Sequence, residues 1–241
     1  MDLSERGAAT GRHPWEIERF RAYRRVLADH GALSASRILD VGAGDGWFGE
    51  SLLAGLPGVS ELVCWDINYN DLELTSADPR IVRTREAPRP GFDLVLLLDV
   101  LEHVEDPRAF IGDELAPLTE PGTAVLAAVP AHPRLFGDHD RALGHPRRYT
   151  ARQLLDELSA WVDVVDHGPL FTSLVPVRAA AVVAERLRPA ERHGVGHWRH
   201  GRAVTRIVRT PLAVDSAVTR RLGPLRRRIT GLSHWAYGYT R

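Results

Sequence analysis

The chain has 241 residues, 44% of them hydrophobic and 26% charged, enough to bury a substantial core as one large domain or two small ones. Its single cysteine, Cys64, excludes an intramolecular disulfide and a multi-cysteine metal cluster. The formal net charge of zero hides an asymmetry: residues 1–180 hold 18 Arg against 28 Asp and Glu, a net −10, whereas residues 181–241 hold 13 Arg against 3 acids, a net +10.

The opening residues, MDLSERGAATGRHPWEIERF, are polar and carry no apolar signal core. No stretch approaches the roughly 20 uninterrupted apolar residues that cross a bilayer, so the expectation is a soluble, cytoplasmic protein. Every basic residue is Arg, which reads as codon bias rather than chemistry. Between 13 and 30, HPWEIERFRAYRRVLADH places Pro14 near a helix start and spaces Ile17, Phe20, Tyr23 and Leu27 for one buried face. After GALSAS the pattern changes to short apolar runs at 38–41, 62–65, 81–82, 94–98, 124–129 and 162–165, most of them separated by helix-compatible segments. That alternation predicts a parallel sheet with helices on both faces, because parallel strands need long crossovers. Residues 171–232 break the rhythm. PVRAAAVVAERL and PLAVDSAVTRRLGPLRRR read as helices, the second with Val214, Val218, Leu222 and Leu225 on one side, and HGVGHWRHG between them reads as a loop. HWAYGYTR then alternates like a strand. The expected organisation is one domain, 1–170 plus 233–241, with 171–232 as a basic helical insertion rather than an independent domain.

The stretch ILDVGAGDGW, residues 38–47, sets Gly42, Gly44 and Gly46 at alternate positions behind an apolar run. A dinucleotide-binding loop would carry a third glycine where Trp47 stands, and a P-loop would carry Lys and Ser or Thr, so both are disfavoured. What remains is a tight turn that lets a ligand lie against bare backbone, with Asp40 at the strand end. Roughly 20 residues on, Asp66 ends the next apolar run, where a carboxylate can accept both hydroxyls of a ribose. Ribose recognition without phosphate recognition suggests an adenosine bearing an amino acid.

ILDVGAGDGW, CWDIN and FDLVLLLDVLEHVEDP together resemble the class I S-adenosylmethionine-dependent methyltransferases, over about residues 13–170 and the closing strand. The resemblance implies a Rossmann-like α/β fold with a seven-stranded sheet, and S-adenosylmethionine as cofactor with S-adenosylhomocysteine as product. It implies that Asp40 and the loop of Gly42, Ala43, Gly44 and Gly46 hold the methionine part, that Asp66 holds the ribose and that Ile67 packs on adenine. It also places Asp99 and Val100 at the cofactor, and Glu86 or Arg85 where relatives carry an acid for the adenine amino group.

The segment after the fourth strand, DVLEHVEDP, faces the reaction centre of such a sheet, so Asp99, Glu102 and His103 are functional candidates. On one reading Glu102 and His103 only cap and orient the next helix. On another, D-x-x-E-H resembles the E-x-x-E-H of ubiquinone-pathway O-methyltransferases and small-RNA 2′-O-methyltransferases, which implies a divalent metal on Asp99, Glu102, His103 and a further His, His139 or His145. The loop VPAHPRLFGDHDRALGHPRRYT, residues 129–150, is too long and polar for a simple connector. It resembles the HD…LGHxRRY loop of one branch of these enzymes and offers His132, Arg148 and Tyr149 for substrate contact. Alternatively, Arg148 and Tyr149 clamp the loop to Asp138 or Asp140. A hydroxyl or carbon acceptor needs a general base, and His139 or His145, then His103, are the candidates.

The basic insertion has three readings: a cap or homodimer interface, a site whose arginines recognise an anionic acceptor, or a peripheral membrane contact reaching a prenylated or lipid-linked acceptor. Nucleic acid is disfavoured by the acidic body and the lack of a recognition motif. The expected activity is methyl transfer to a small-molecule acceptor, foremost O-methylation in specialised metabolism. The alternatives are C- or N-methylation and a catalytically silent S-adenosylmethionine-binding partner subunit.

Overall fold

The computed structural model describes residues 12–187 and 202–241, and only the backbone of 202–208. The predicted loop HGVGHWRHG lies outside the described residues. Helix α1, Pro14–Asp29, begins where the sequence places it: the His13 side chain accepts from Trp15 N–H at 3.3 Å, and Glu16 reaches back to His13 N–H at 3.1 Å. Its buried face differs from the expected one. Tyr23 and Leu27 are fully buried, but Ile17 and Phe20 are only partly covered, while Glu16, Glu18 and Arg19 go inside. Each of these has a charged partner: Glu16 pairs with the nearby Arg12 at 3.5 Å, and, from elsewhere in the chain, Arg209 meets Glu18 at 2.8 Å and Asp99 meets Arg19.

The strands follow as β1 (Arg37–Val41), β2 (Glu61–Trp65), β3 (Ile81–Thr84), β4 (Leu94–Leu98), β5 (Ala124–Pro130), β6 (Val162–Leu170) and β7 (Ser233–Thr240), in one sheet of order β3-β2-β1-β4-β5-β7-β6. Between β1 and β2 lies α2, Trp47–Leu53. After β4 a helical stretch opens as α3, Pro107–Ala109, widens over Phe110–Leu115 and tightens over Ala116–Leu118. Helices α4 (Asp138–Ala142) and α5 (Ala151–Leu158) join β5 to β6. Helices α6 (Val175–Leu187) and α7 (Arg202–Arg221), then a tight turn over Gly223–Arg228, stand between β6 and β7. Among the described residues no helix is long and apolar enough to cross a membrane.

The sheet is mixed rather than wholly parallel: β7 runs antiparallel to both β5 and β6 and fills the gap between them. Strands β4 and β5 are buried along nearly their whole length, as continuous apolar runs covered on both faces require. One face packs Ile38, Leu62, Leu96 and Leu126 beneath Tyr23 and Leu27 of α1 and Leu52 of α2, with Leu212 of α7 joining the same core. The other packs Leu39, Val63, Val95 and Val125 against Ile111, Leu115, Leu154 and Leu158.

The β6–β7 register shifts between Val164 and Asp166, opposite Gly238. A Cβ on Gly238 would run into the Asp163 carbonyl oxygen and stand 2.8 Å from Val164 Cα. Gly238→Ala should therefore cost about 1–3 kcal/mol in urea unfolding; an unchanged denaturation midpoint would show that the bulge yields freely.

Candidate methyl-transfer site

Parallel strands deliver their following loops to one edge of the sheet, and here the loops after β1, β2 and β4 converge there. Gly42, Gly44 and Gly46 have φ of 60°, 56° and 76°, a left-handed series that side chains resist. The turn lets Gly42 N–H donate to the Trp65 carbonyl at 2.7 Å and Gly44 N–H donate to the Asp66 carboxylate at 2.8 Å. A Cβ on Gly42 would stand 2.7 Å from Val100 Cγ2, so the backbone itself forms the wall between the β1 and β4 loops. Asp66 is buried and also accepts from Asn68 N–H at 2.9 Å, whereas the next side chain, Ile67, is 74% exposed. Ala43 is buried within the turn. Glu86 is exposed just beyond β3, its N–H donating to Thr84 Oγ1 at 3.0 Å.

Two arginines brace the outside of the loop. Arg12 pairs with Asp45 and lies 4.8 Å from the Trp47 ring centre. Arg83 pairs with Glu50 and donates to the Asp45 carbonyl at 3.3 Å. The Trp47 that replaces a third dehydrogenase glycine packs on Phe20 of α1, ring centres 5.5 Å apart.

Asp40 lies under the first turn of α2, where a Cβ on Gly49 would stand 2.9 Å from its Oδ2. It is buried, and that oxygen has no hydrogen-bond partner. Burial pushes its pKa up to about 7, partly offset by the Gly49 N–H.

After β4, Asp99 adopts φ of 56°, unusual for a non-glycine, with its N–H donating to the Ala128 carbonyl at 2.9 Å and its carboxylate paired with Arg19. Of the four residues that the metal resemblance implied, the fold therefore brings together three. The ligand atoms of Glu102, His103 and His145 lie within 4.8 Å of one another, and Asp99 stands outside that group. Glu102 is fully buried with neither oxygen hydrogen-bonded, and burial raises its pKa to about 8. The rings of His103 and His145 meet edge-on, centres 4.5 Å apart.

The long loop after β5 is organised by Asp140, which is fully buried. It accepts from Arg148 Nε at 2.6 Å, from Arg178 of α6 at 3.0 Å and from Gly137 N–H at 2.9 Å, and its Oδ1 lies 3.6 Å from His145 Nδ1. Although burial acts to raise its pKa, these partners together hold it well below the usual carboxylate range. Arg148 also donates to the Ala131 carbonyl at 3.1 Å, and the buried Tyr149 hydroxyl donates to the Leu101 carbonyl at 2.9 Å. Both side chains are thus engaged by the protein as a clamp joining the β4 and β5 loops. His139 stands apart, exposed on α4; crowding of its ring, then the Arg178 charge, lower its proton affinity. His132, at φ of 64°, shares a 2.6 Å hydrogen bond with Thr230 Oγ1.

Sequence reasoning missed Arg19, Arg178 and His234 at this end of the sheet. His234 is buried 6.2 Å from His132, ring centre to ring centre, and burial drops its pKa to about 4, so it stays neutral. No local pattern flags these three, because their partners lie far off in the chain.

A Rossmann-like sheet with a glycine turn facing an acid on the next strand defines the methyltransferase domain. Residues 15–174 match the family described as "Methyltransferase domain", and the chain belongs to it. The methyl donor of this class of domain is S-adenosylmethionine. The ubiquinone biosynthesis O-methyltransferase of Rhodopseudomonas palustris (strain HaA2) is 30% identical over 117 residues, 45% of this chain and 46% of that protein. The match thus spans about half the length of that relative. Two solved structures share the fold: the N-methyltransferase NodS from Bradyrhizobium japonicum WM9 (TM-score 0.52, 16% identity, covering 94% of this chain and 97% of that one) and the methyltransferase domain of bacterial CtHen1-CN (TM-score 0.53, 15% identity, covering 94% and 99%).

Asp40 makes a testable contribution to stability. Its raised pKa means that the folded chain holds a proton the unfolded chain releases. The associated stability is full below about pH 4, declines as pH rises and is gone above about pH 7. Urea unfolding across that window should show Asp40→Asn losing this slope, on the order of 2–4 kcal/mol, relative to the parent chain. Parallel pH profiles for the two would show that Asp40 ionises freely.

Proposed function

We propose that this methyltransferase transfers the methyl group of S-adenosylmethionine to a hydroxyl of a small-molecule acceptor. The observation that carries the donor half is the Gly44 N–H to Asp66 bond. It presents a buried carboxylate and bare glycine backbone side by side, with Ile67 exposed next to them. That arrangement fits a ribose on Asp66, an adenine against Ile67 and an amino-acid tail along Gly42 to Gly46, with Asp40 supporting the turn from beneath and Val100 walling the far side. Glu86 or Arg85, both exposed beyond β3, is assigned to the adenine edge. Bound there, the sulfonium supplies an activated methyl and its own leaving group.

What remains for the protein is to align the acceptor, exclude water and take its proton. His145 and His103 are the groups for that proton. Asp140, 3.6 Å from His145 Nδ1, stabilises the imidazolium that results, and Arg148 and Arg178 keep that carboxylate ionised. His139, exposed on α4, and His132 at the loop's start stand further out, suited to acceptor contact. Oxygen is favoured over nitrogen because a base of this kind is superfluous for an amine. The resemblance to an O-methyltransferase over 117 residues points the same way.

One observation favours a second reading of the same cluster. A fully buried Glu102 with two unpartnered oxygens beside two imidazoles is costly unless protonated or neutralised by a cation. One carboxylate and two His suit a first-row divalent ion, which would lower the pKa of an acceptor hydroxyl.

Calorimetry should show S-adenosylhomocysteine binding to the intact chain, weakened at least tenfold by Asp66→Ala; no heat from the parent chain would overturn the donor assignment. For the acceptor side, His145→Ala should lower turnover 10²–10⁴-fold while leaving S-adenosylhomocysteine affinity unchanged. A chelator separates the two readings. Full activity in it leaves His145 as the base, and loss mimicked by Glu102→Gln and restored by a divalent ion assigns the cluster to metal.

A further inference from the structure

The apolar side that the sequence places on PLAVDSAVTRRLGPLRRR does not face the protein, and α7 ends at Arg221, so that Val214 and Val218 lie on the helix and Leu222 and Leu225 beyond it. Val214, Val218, Leu222 and Leu225 are exposed, three of them by more than half. The side of α7 turned inward carries Leu212 and Thr219, together with Asp215 and Ser216, which each hold a buried oxygen without a hydrogen-bond partner. A helix that turns serine, threonine and aspartate inward and valines outward, continued by a turn with exposed leucines, is patterned for an apolar surface outside the domain. Helix α6 repeats the feature with exposed Val177, Val183 and Leu187. Seven of the twelve large apolar side chains exposed among the described residues thus belong to the segment between β6 and β7.

Charge identifies what the stripe meets. Arg221 and Arg228 are exposed beside it, and among the described residues neither meets a carboxylate. Arg227 is exposed as well, though one edge reaches Asp166 at 3.2 Å. The side chains that anchor the helix to the body are different ones: Arg209 pairs with Glu18 and Arg226 with Asp166. Arg220 meets the exposed Asp29 at 3.8 Å, which leaves Arg221, Arg227 and Arg228 to make the rim of the stripe predominantly cationic. Two copies meeting symmetrically through this face would set arginine rim against arginine rim. An anionic surface with an apolar interior satisfies both the rim and the stripe.

We propose that the outer face of α7 and the Gly223–Arg228 turn docks on an anionic lipid bilayer, the helix lying in the interface plane with its valines and leucines below the headgroups and its arginines among the phosphates. Docking of this kind needs no particular acceptor and stands independently of the chemistry proposed above.

Sedimentation of the full chain with vesicles tests it. The chain should pellet with phosphatidylcholine vesicles containing phosphatidylglycerol and bind at least tenfold more weakly to phosphatidylcholine alone, with high salt reducing the difference. Val218→Asp with Leu222→Asp should cut partitioning at least tenfold, and Arg221→Gln with Arg228→Gln about 30-fold. Both pairs are surface changes, so unchanged S-adenosylhomocysteine affinity serves as the folding control. Failure of the parent chain to pellet with anionic vesicles, or pelleting of the Asp pair like the parent, overturns the proposal. So does a dimer in sedimentation equilibrium that the Asp pair dissolves in a chain indifferent to vesicles, which would hand the face to a second copy.

Discussion

The arrangement of the site depends on one hydrogen bond between neighbouring strands, from Gly44 N–H to the buried carboxylate of Asp66. A backbone amide can reach that carboxylate only if the chain leaving β1 turns through left-handed geometry, and only glycine adopts it at little cost. The same turn brings Gly42 so close to Val100 that a methyl group would collide. Three strand ends are thus locked into one wall, the bare backbone of the glycine turn lying directly against the Asp66 and Val100 side chains. Trp47, Arg12 and Arg83 then seal the loop from outside, so that its open side is the one made of backbone.

A second constraint works in the loop after β5. Asp140 is a buried charge, tolerable because two guanidiniums and a backbone N–H meet it. Those partners come from different elements: Arg148 from the end of the same loop and Arg178 from α6. Glu185, also on α6, accepts from Arg178 at 3.0 Å and from Asp138 N–H at 3.0 Å. The helical segment between β6 and β7 is therefore part of the scaffold that sets His145 beside His103. Arg19 does the equivalent on the other side, tying α1 to the strained Asp99.

Much of this was legible in the sequence because it is local. The apolar runs marked six strands to within a few residues, apart from β6, which continues to Leu170. The glycine spacing marked the turn after β1, and of the set Asp99, Glu102, His103 and His139 or His145, the fold groups Glu102, His103 and His145. What escaped was whatever depends on partners distant in the chain. Glu18 reads as solvent-facing until Arg209 is known to lie against it. Val214, Val218, Leu222 and Leu225 read as one side of a helix, but periodicity reports that a helix has two sides and not which one the domain covers. The antiparallel course of β7 was likewise invisible, because an alternating strand looks the same in either direction.

That course has a consequence for how the chain is made. Strand β6 pairs in the sheet with β7 alone, and β7 is separated from it by more than sixty residues of sequence. During synthesis the first five strands can zip together in order, but β6 has no hydrogen-bonding neighbour until residues 233–240 leave the ribosome and slide between it and β5. For that interval the edge of β5 and the whole of β6 are open strands, and α6 and α7 emerge before the element that will hold their two ends together. The domain completes itself by late insertion into the middle of its sheet, not by adding a strand at the rim.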